Sequence, residues 1–236
     1  MKLAYILLLL LLVPFLSTGN SPKEELNYSI RFGLLKGGVA TITTSCEQKD
    51  EKNLIFSEMK IKSTGLAHSL YYLENTYSSV IDPITCLPEK STCNLHEQGY
   101  EYFDEVHYFQ TDSSLFSKRQ GWFNTEGNML EIVSLIYHFR FSEKLSGFKP
   151  GDKMNIVFWD GNKIYVLQLN FSGFEVVKTG AGKFRCIKME PVFKAGSAFS
   201  KKAPLTLWIS DDSRKLPVLI RLNFKVGSVK CELEKF

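Results

Sequence analysis

The sequence predicts a mainly β protein, an antiparallel meander that forms a strongly curved open sheet or incomplete barrel with one or two short helices. Three observations carry this. Apolar and polar residues alternate with period two through most of the chain, the mark of strands with one wet and one buried face. Turn chemistry recurs between the alternating runs, and no strand–helix–strand rhythm calls for a parallel core. One apolar stretch has helical spacing and is greasy nearly all round, which suits a helix buried against a curved sheet.

The elements follow in order. Leu26, Tyr28, Ile30 and Phe32 alternate with polar neighbours, and Leu34-Leu35-Lys36-Gly37-Gly38 is expected to turn the chain. Val39 to Cys46 reads as a second strand, with Ala40, Ile42 and Cys46 on one side, and Leu54 to Lys62 as a third. Thr64 to Tyr72 has room for one or two helical turns. From Met129 to Phe141, the apolar residues Met129, Ile132, Val133, Ile136 and Phe139 fall three and four apart, which predicts a helix. Gly147 to Asp152 is a loop by its Gly and Pro content. Met154, Ile156 and Phe158 share a face, Asp160-Gly161 signals a tight turn, and Tyr165, Leu167, Leu169 and Phe171 share the face of the next strand. Alternation is clearest from Leu216 to Val226 and again from Val229 to Leu233, with Gly227-Ser228 expected as a two-residue turn between them.

The first residues predict export. Lys2 precedes an apolar run from Leu3 to Leu16, and Ser17, Thr18 and Gly19 supply small residues. That order is a secretory signal, with cleavage expected after Gly19. The run is shorter than the roughly 20 apolar residues that span a bilayer, so a mature form without a transmembrane span is expected. Residues 20–236 suit one β-rich domain, because sandwiches and barrels of this length often stay undivided. The formal net charge is only +4. Clusters such as Lys118-Arg119 and Lys201-Lys202 are too short to track phosphates, which excludes a nucleic-acid role. Of the five cysteines, Cys86 and Cys93 flank a Pro-containing turn and are the candidates for a disulfide; the others read as small buried hydrophobes.

Catalytic and metal signatures are missing from the sequence. None of the four histidines sits at a metal-ligand spacing, although His96 and His107 flank a Gly99 turn and could face each other across a hairpin. There is no Gly-x-Ser-x-Gly elbow and no phosphate-cradling glycine loop, and no cofactor is implied. The most distinctive local pattern is Leu205 to Asp212. Leu205, Leu207 and Ile209 are expected to face the core, with Trp208 on the other side and Asp211-Asp212 following. An indole can stack on a sugar, and paired carboxylates can do acid–base work. The same residues also read as ordinary hairpin-turn chemistry. Trp208, Asp211, Asp212, Tyr137 and Arg140 are the candidate ligand-binding residues.

A series of segments carries a family resemblance. It runs from Leu26 to Gly38, through Tyr77 to Pro83 with Leu87-Pro88, and Glu97 to Tyr100. It continues with Leu135 to Arg140, Pro150-Gly151-Asp152 and Gly182-Lys183-Phe184, and ends with Trp208 to Asp212, Leu216-Pro217 and Val226-Gly227-Ser228. In this order they resemble the uncharacterised exported bacterial family called domain of unknown function 3108. The resemblance implies a β-rich protein of the periplasm or cell envelope of a Gram-negative-type bacterium. It is similar to open barrel-like meanders of exported envelope proteins and to half-barrels that hold an acyl chain. The expected function is non-catalytic binding or assembly for an apolar or glycan envelope component, with a lipid, a polysaccharide or an envelope protein as partner. An envelope hydrolase or transferase using the carboxylates near Trp208–Asp212 is the alternative.

Overall fold

The computed structural model describes residues 23–49, 52–125, 127–142, 147–192, 205–224 and 227–236. The expected signal, residues 1–19, and Lys201-Lys202 lie outside the described residues.

The strands are β1 (Glu24–Phe32), β2 (Leu35–Lys49), β3 (Lys52–Ser63), β4 (Leu73–Ile81), β5 (Pro88–Glu97) and β6 (Tyr100–Phe109). Three short strands follow, β7 (Ser114–Ser117), β8 (Gly121–Asn124) and β9 (Met129–Leu130). The second half holds β10 (Lys153–Trp159), β11 (Ile164–Thr179), β12 (Gly182–Val192), β13 (Leu205–Ser210), β14 (Pro217–Phe224) and β15 (Gly227–Lys235). A short helix, α1 (Gly65–Leu70), joins β3 to β4, and a longer one, α2 (Ile132–Phe141), follows β9.

Among the described residues, fifteen strands form one sheet, ordered β8-β7-β6-β5-β4-β3-β2-β1-β15-β14-β13-β12-β11-β10-β9. It is a meander in which the first and last strands pair in the middle, Tyr28 opposite Leu233. Every pairing is antiparallel except the two-residue β9–β10 contact. The predicted curved, open sheet is the architecture observed. Its two ends meet through side chains rather than a backbone ladder. The Gln110 amide donates to Met129 O and accepts from Met129 N, 3.1 and 3.0 Å away. Tyr102 Oη donates to Gly161 O, and Phe123 packs on Trp159.

Two glycines allow the curvature. A Cβ at Gly38 would sit 2.7 Å from Lys62 O, so only glycine lets β3 come this close. Gly173, at φ 137, ends the bulge where β11 bends. The β11–β12 hairpin tip then folds toward the last strand, where Ala181 N donates to Leu233 O.

Several local expectations shift. The β1–β2 turn is Gly33-Leu34, with Leu35 to Gly38 already in β2, because Gly33 takes the positive φ of 58° that the tight turn needs. Gly227 and Ser228 are paired in β15, opposite Phe224 and Asn223, so the hairpin ladder runs past the expected turn. His96 and His107 do not face each other. The register puts them opposite Glu101 and Lys90. Met129 and Leu130 are a strand end, and the helix starts at Ile132 because Glu131 caps it.

The α2 helix lies inside the sheet. Leu135 and Phe139 pack with Ile156, Leu169, Phe171, Ile187, Met189 and Ile209 of the second half, while Val133 joins Leu26, Tyr28, Ala40, Ile42 and Met59 of the first. Fully burying such a side chain is worth about 1.5–3 kcal/mol, which offsets the entropy of ordering a helix this short.

Candidate functional site

The inner face of the sheet is not uniform. Alternation in β4, β5 and β6 puts Tyr77, Cys93 and Asp104 in one row and Ser79, Ser91 and Val106 in the next. Asn75, Ser79, Ser91, Asp104 and Ser117 make this region a buried polar patch. The inner face of β10 to β14 is aliphatic and aromatic. The helix separates the two.

At its N-terminus, Glu131 accepts hydrogen bonds from Val133 N and Ser134 N at 2.8 and 2.6 Å, and Glu131 N donates to Ser134 Oγ. This is a capping box with the usual residues exchanged, the carboxylate at the cap and the hydroxyl three residues on. Burial pushes the Glu131 pKa up, against the pull of these amides. At the C-terminus, the buried Arg140 guanidinium makes two bonds to Glu24, 2.5 and 2.8 Å long, and a third to Arg214 O. His138 Nδ1 hydrogen-bonds Cys86 O. One end of the curved sheet is thus plugged by the helix C-terminus, β1 and the Asp82–Leu87 and Asp211–Lys215 turns.

Three cavities border the helix, and two of them share Ile132. The first, about 270 Å³, lies at the helix N-terminus and is lined among others by Tyr77, Cys93, Tyr102, Asp104, Glu131 and Trp159. It reaches the unplugged end at Asp160 and Gly161. Asp104 accepts from Ser117 Oγ at 2.7 Å and from Arg119 N at 3.1 Å. Burial pushes the Tyr77 hydroxyl and the Cys93 thiol up to about 12, so both stay protonated at neutral pH, and Cys93 is a poor nucleophile. The second cavity, about 220 Å³, is an apolar slot between Leu135, Ile136 and Phe139 of α2 and Leu207, Ile220 and Leu222 of β13 and β14. Ile132 lines both cavities. The slot and the first cavity, the mouth, therefore share one side chain. Turns at the unplugged end carry exposed Leu34, Leu66 and Leu70, with Tyr71 and Tyr72 beside them.

The residues singled out from sequence fall in different places. Trp208 is 2% exposed; its Nε1 donates to Glu175 at 3.0 Å, and Arg221 and Lys188 lie over its ring. Together with Arg140 it forms part of the slot wall. Asp211 pairs with Arg185 and Lys215. Asp212 accepts from Ser210 Oγ and from the Arg214 guanidinium, which is turn chemistry. Tyr137 packs with Cys86 and Ile81 in the plug, and its ring lies tilted against Phe141. Cys86, in the turn at positive φ, and Cys93, in the cavity wall, are both free thiols, so the pair considered for a disulfide is not bridged. Among the described residues, no group of three or more His, Cys, Asp or Glu could hold a metal ion, and no helix is long and apolar enough to cross a membrane.

Sequence reasoning missed Asp104 and Glu131. A signal for Asp104 was present: it is in phase with Val106 and Tyr108, so a carboxylate sits on the face that alternation marks as buried.

This arrangement can be set beside known proteins. The profile of a family described as protein of unknown function, DUF3108, matches residues 27–234. The chain belongs to that family. A crystal structure of a β-barrel-like protein of domain of unknown function DUF1849 from Brucella abortus shares the fold. Its TM-score is 0.55 at 8% identity, over 91% of this chain and 96% of that one. A DUF1089 family protein from Pseudomonas aeruginosa aligns over 85% of this chain and 89% of that one with a TM-score of 0.35 and 8% identity. No functionally curated protein matches the chain. For this DUF3108 member the likeness extends to the fold alone.

Proposed function

We propose that this DUF3108 protein is an exported cell-envelope protein that binds an amphiphile without transforming it. The apolar chain lies in the slot and the polar end in the mouth. The observation that carries the reading is that a cavity carrying carboxylates and hydroxyls among apolar side chains shares Ile132 with a wholly apolar one, inside a sheet plugged at its far end. The leader-like N-terminus, Lys2 followed by Leu3 to Leu16, supports export. Exposed leucines around the unplugged end suit a route between cavity and lipid surface.

No observation favours the hydrolase alternative. The Asp211 and Asp212 carboxylates are neutralised by arginines and engaged in a turn, and neither lines a cavity described above.

The test is a chain-length series of alkyl glucosides bound to the purified mature protein, followed by titration calorimetry below micelle formation. Each buried methylene is worth about 0.8 kcal/mol, so affinity should climb about fourfold per carbon until the slot is full. A flat series refutes binding in the slot. Export is checked separately by cell fractionation and N-terminal sequencing, which should find the chain outside the cytoplasm beginning at Asn20.

A further inference from the structure

We infer that the mouth selects the ligand's polar end: it accepts a head group that donates hydrogen bonds and carries no negative charge, and rejects an anionic one. The inference rests on the amphiphile reading and adds the chemistry of the head.

The wall of the mouth holds three carboxylates, Asp104, Glu131 and Asp160, and no lysine, arginine or histidine. Asp104 is 2% exposed, so its field acts through protein rather than water. Arg119 stacks on the Tyr102 ring, 4.6 Å from its centre, and is not part of the wall. A phosphate or carboxylate head would shed its water, meet like charge and find no cation.

The acceptors have capacity left. A carboxylate offers about four lone-pair sites. Asp104 accepts two hydrogen bonds, one on each oxygen, and so keeps lone pairs for a ligand. The aromatic faces of Tyr77, Tyr102 and Trp159 beside them suit either a sugar ring or an ammonium group. Hydroxyls and ammonium groups share the property the wall asks for, and they are separable by charge.

The experiment compares octyl β-glucoside, octylamine and octanoate, one chain with three heads, by titration calorimetry on the full mature protein at neutral pH. The glucoside, the amine or both should bind at least tenfold more tightly than octanoate. An amine preference that vanishes in Asp104→Asn assigns the selectivity to charge; glucoside binding that survives assigns it to hydrogen bonding. Asp104→Asn keeps one acceptor oxygen for its two donors. Should it fail to fold, Ile61→Lys at the mouth gives the converse: a cation on the wall should bring octanoate to within threefold of the glucoside. Octanoate binding as tightly as the others to the unaltered protein overturns this inference and leaves the amphiphile reading standing. Binding of none of the three takes both down.

Discussion

Replacing Ile132 by alanine separates a packed core position from a partition between cavities. Ile132 is 36% exposed and faces empty space on two sides. Truncation removes about three carbons worth about 0.8 kcal/mol each when fully buried; with some two-thirds of the side chain buried, the loss is about 1.5 kcal/mol. Little cavity penalty adds to this, because the space beside the side chain is already open. The same change widens the passage from the mouth to the slot. The alkyl chain-length series should then climb about two methylenes further before it levels, a gain of about fifteenfold in limiting affinity. Urea denaturation gives the first number and calorimetry of the glucoside series the second. Phe171→Ala, at a fully buried position in the second-half core, is the control and should cost about 3–5 kcal/mol. A loss of 3 kcal/mol or more at Ile132 with no change in the chain-length plateau would refute the reasoning: the two cavities would then be separate packing defects.

Three other expectations concern the plug and the charged groups. Arg140→Met should cost about 2–3 kcal/mol, because it removes a buried cation with three hydrogen bonds while the Glu24 side chain, 40% exposed, regains water. A cycle with Glu24→Gln that shows coupling below about 0.5 kcal/mol would remove the pair from the account of how the helix is anchored. Burial raises the Glu131 pKa in the fold, so the native state holds this proton longer than the unfolded chain. Stability should therefore fall as pH rises from the ordinary glutamate range through the raised value, and Glu131→Gln should abolish that fall in urea midpoints measured across pH. Glu105 behaves oppositely. Lys118 and Lys90 hold it at about 2, so its contribution is present above the ordinary glutamate pKa and lost as pH drops toward 2. Solvent screening limits that contribution to roughly 1 kcal/mol, and Glu105→Gln should remove the acid-side slope.

The strands were legible because one face of each meets water. Leu26 and Tyr28 in β1, Ala40 and Ile42 in β2 and Ile156 in β10 are buried as period two demands. The helix was legible from spacing, and its burial from an apolar circumference. Trp208 shows where the pattern stops. It lies on the face opposite Leu207 yet is 2% exposed, because Glu175 of β11, two strands away, reaches it and its cross-strand neighbour Lys188 lies over the ring. Alternation predicts sides, not what a bent neighbour later covers. Asp211 and Asp212 looked like chemistry because sequence cannot show that arginines at 185 and 214 neutralise them.

The order of apolar and polar side chains by itself determined a single meander with a greasy helix, since each strand's burial pattern is set by its own residues and the pleat. Which strands pair at the centre of the sheet, where its ends meet and what space remains were decided only in three dimensions. Pairing of β1 with β15, contact of Gln110 with Met129 and the cavities on either side of Ile132 join residues far apart in the chain. Such contacts depend on the accumulated twist and bend of fifteen strands, and no local stretch of sequence encodes that sum.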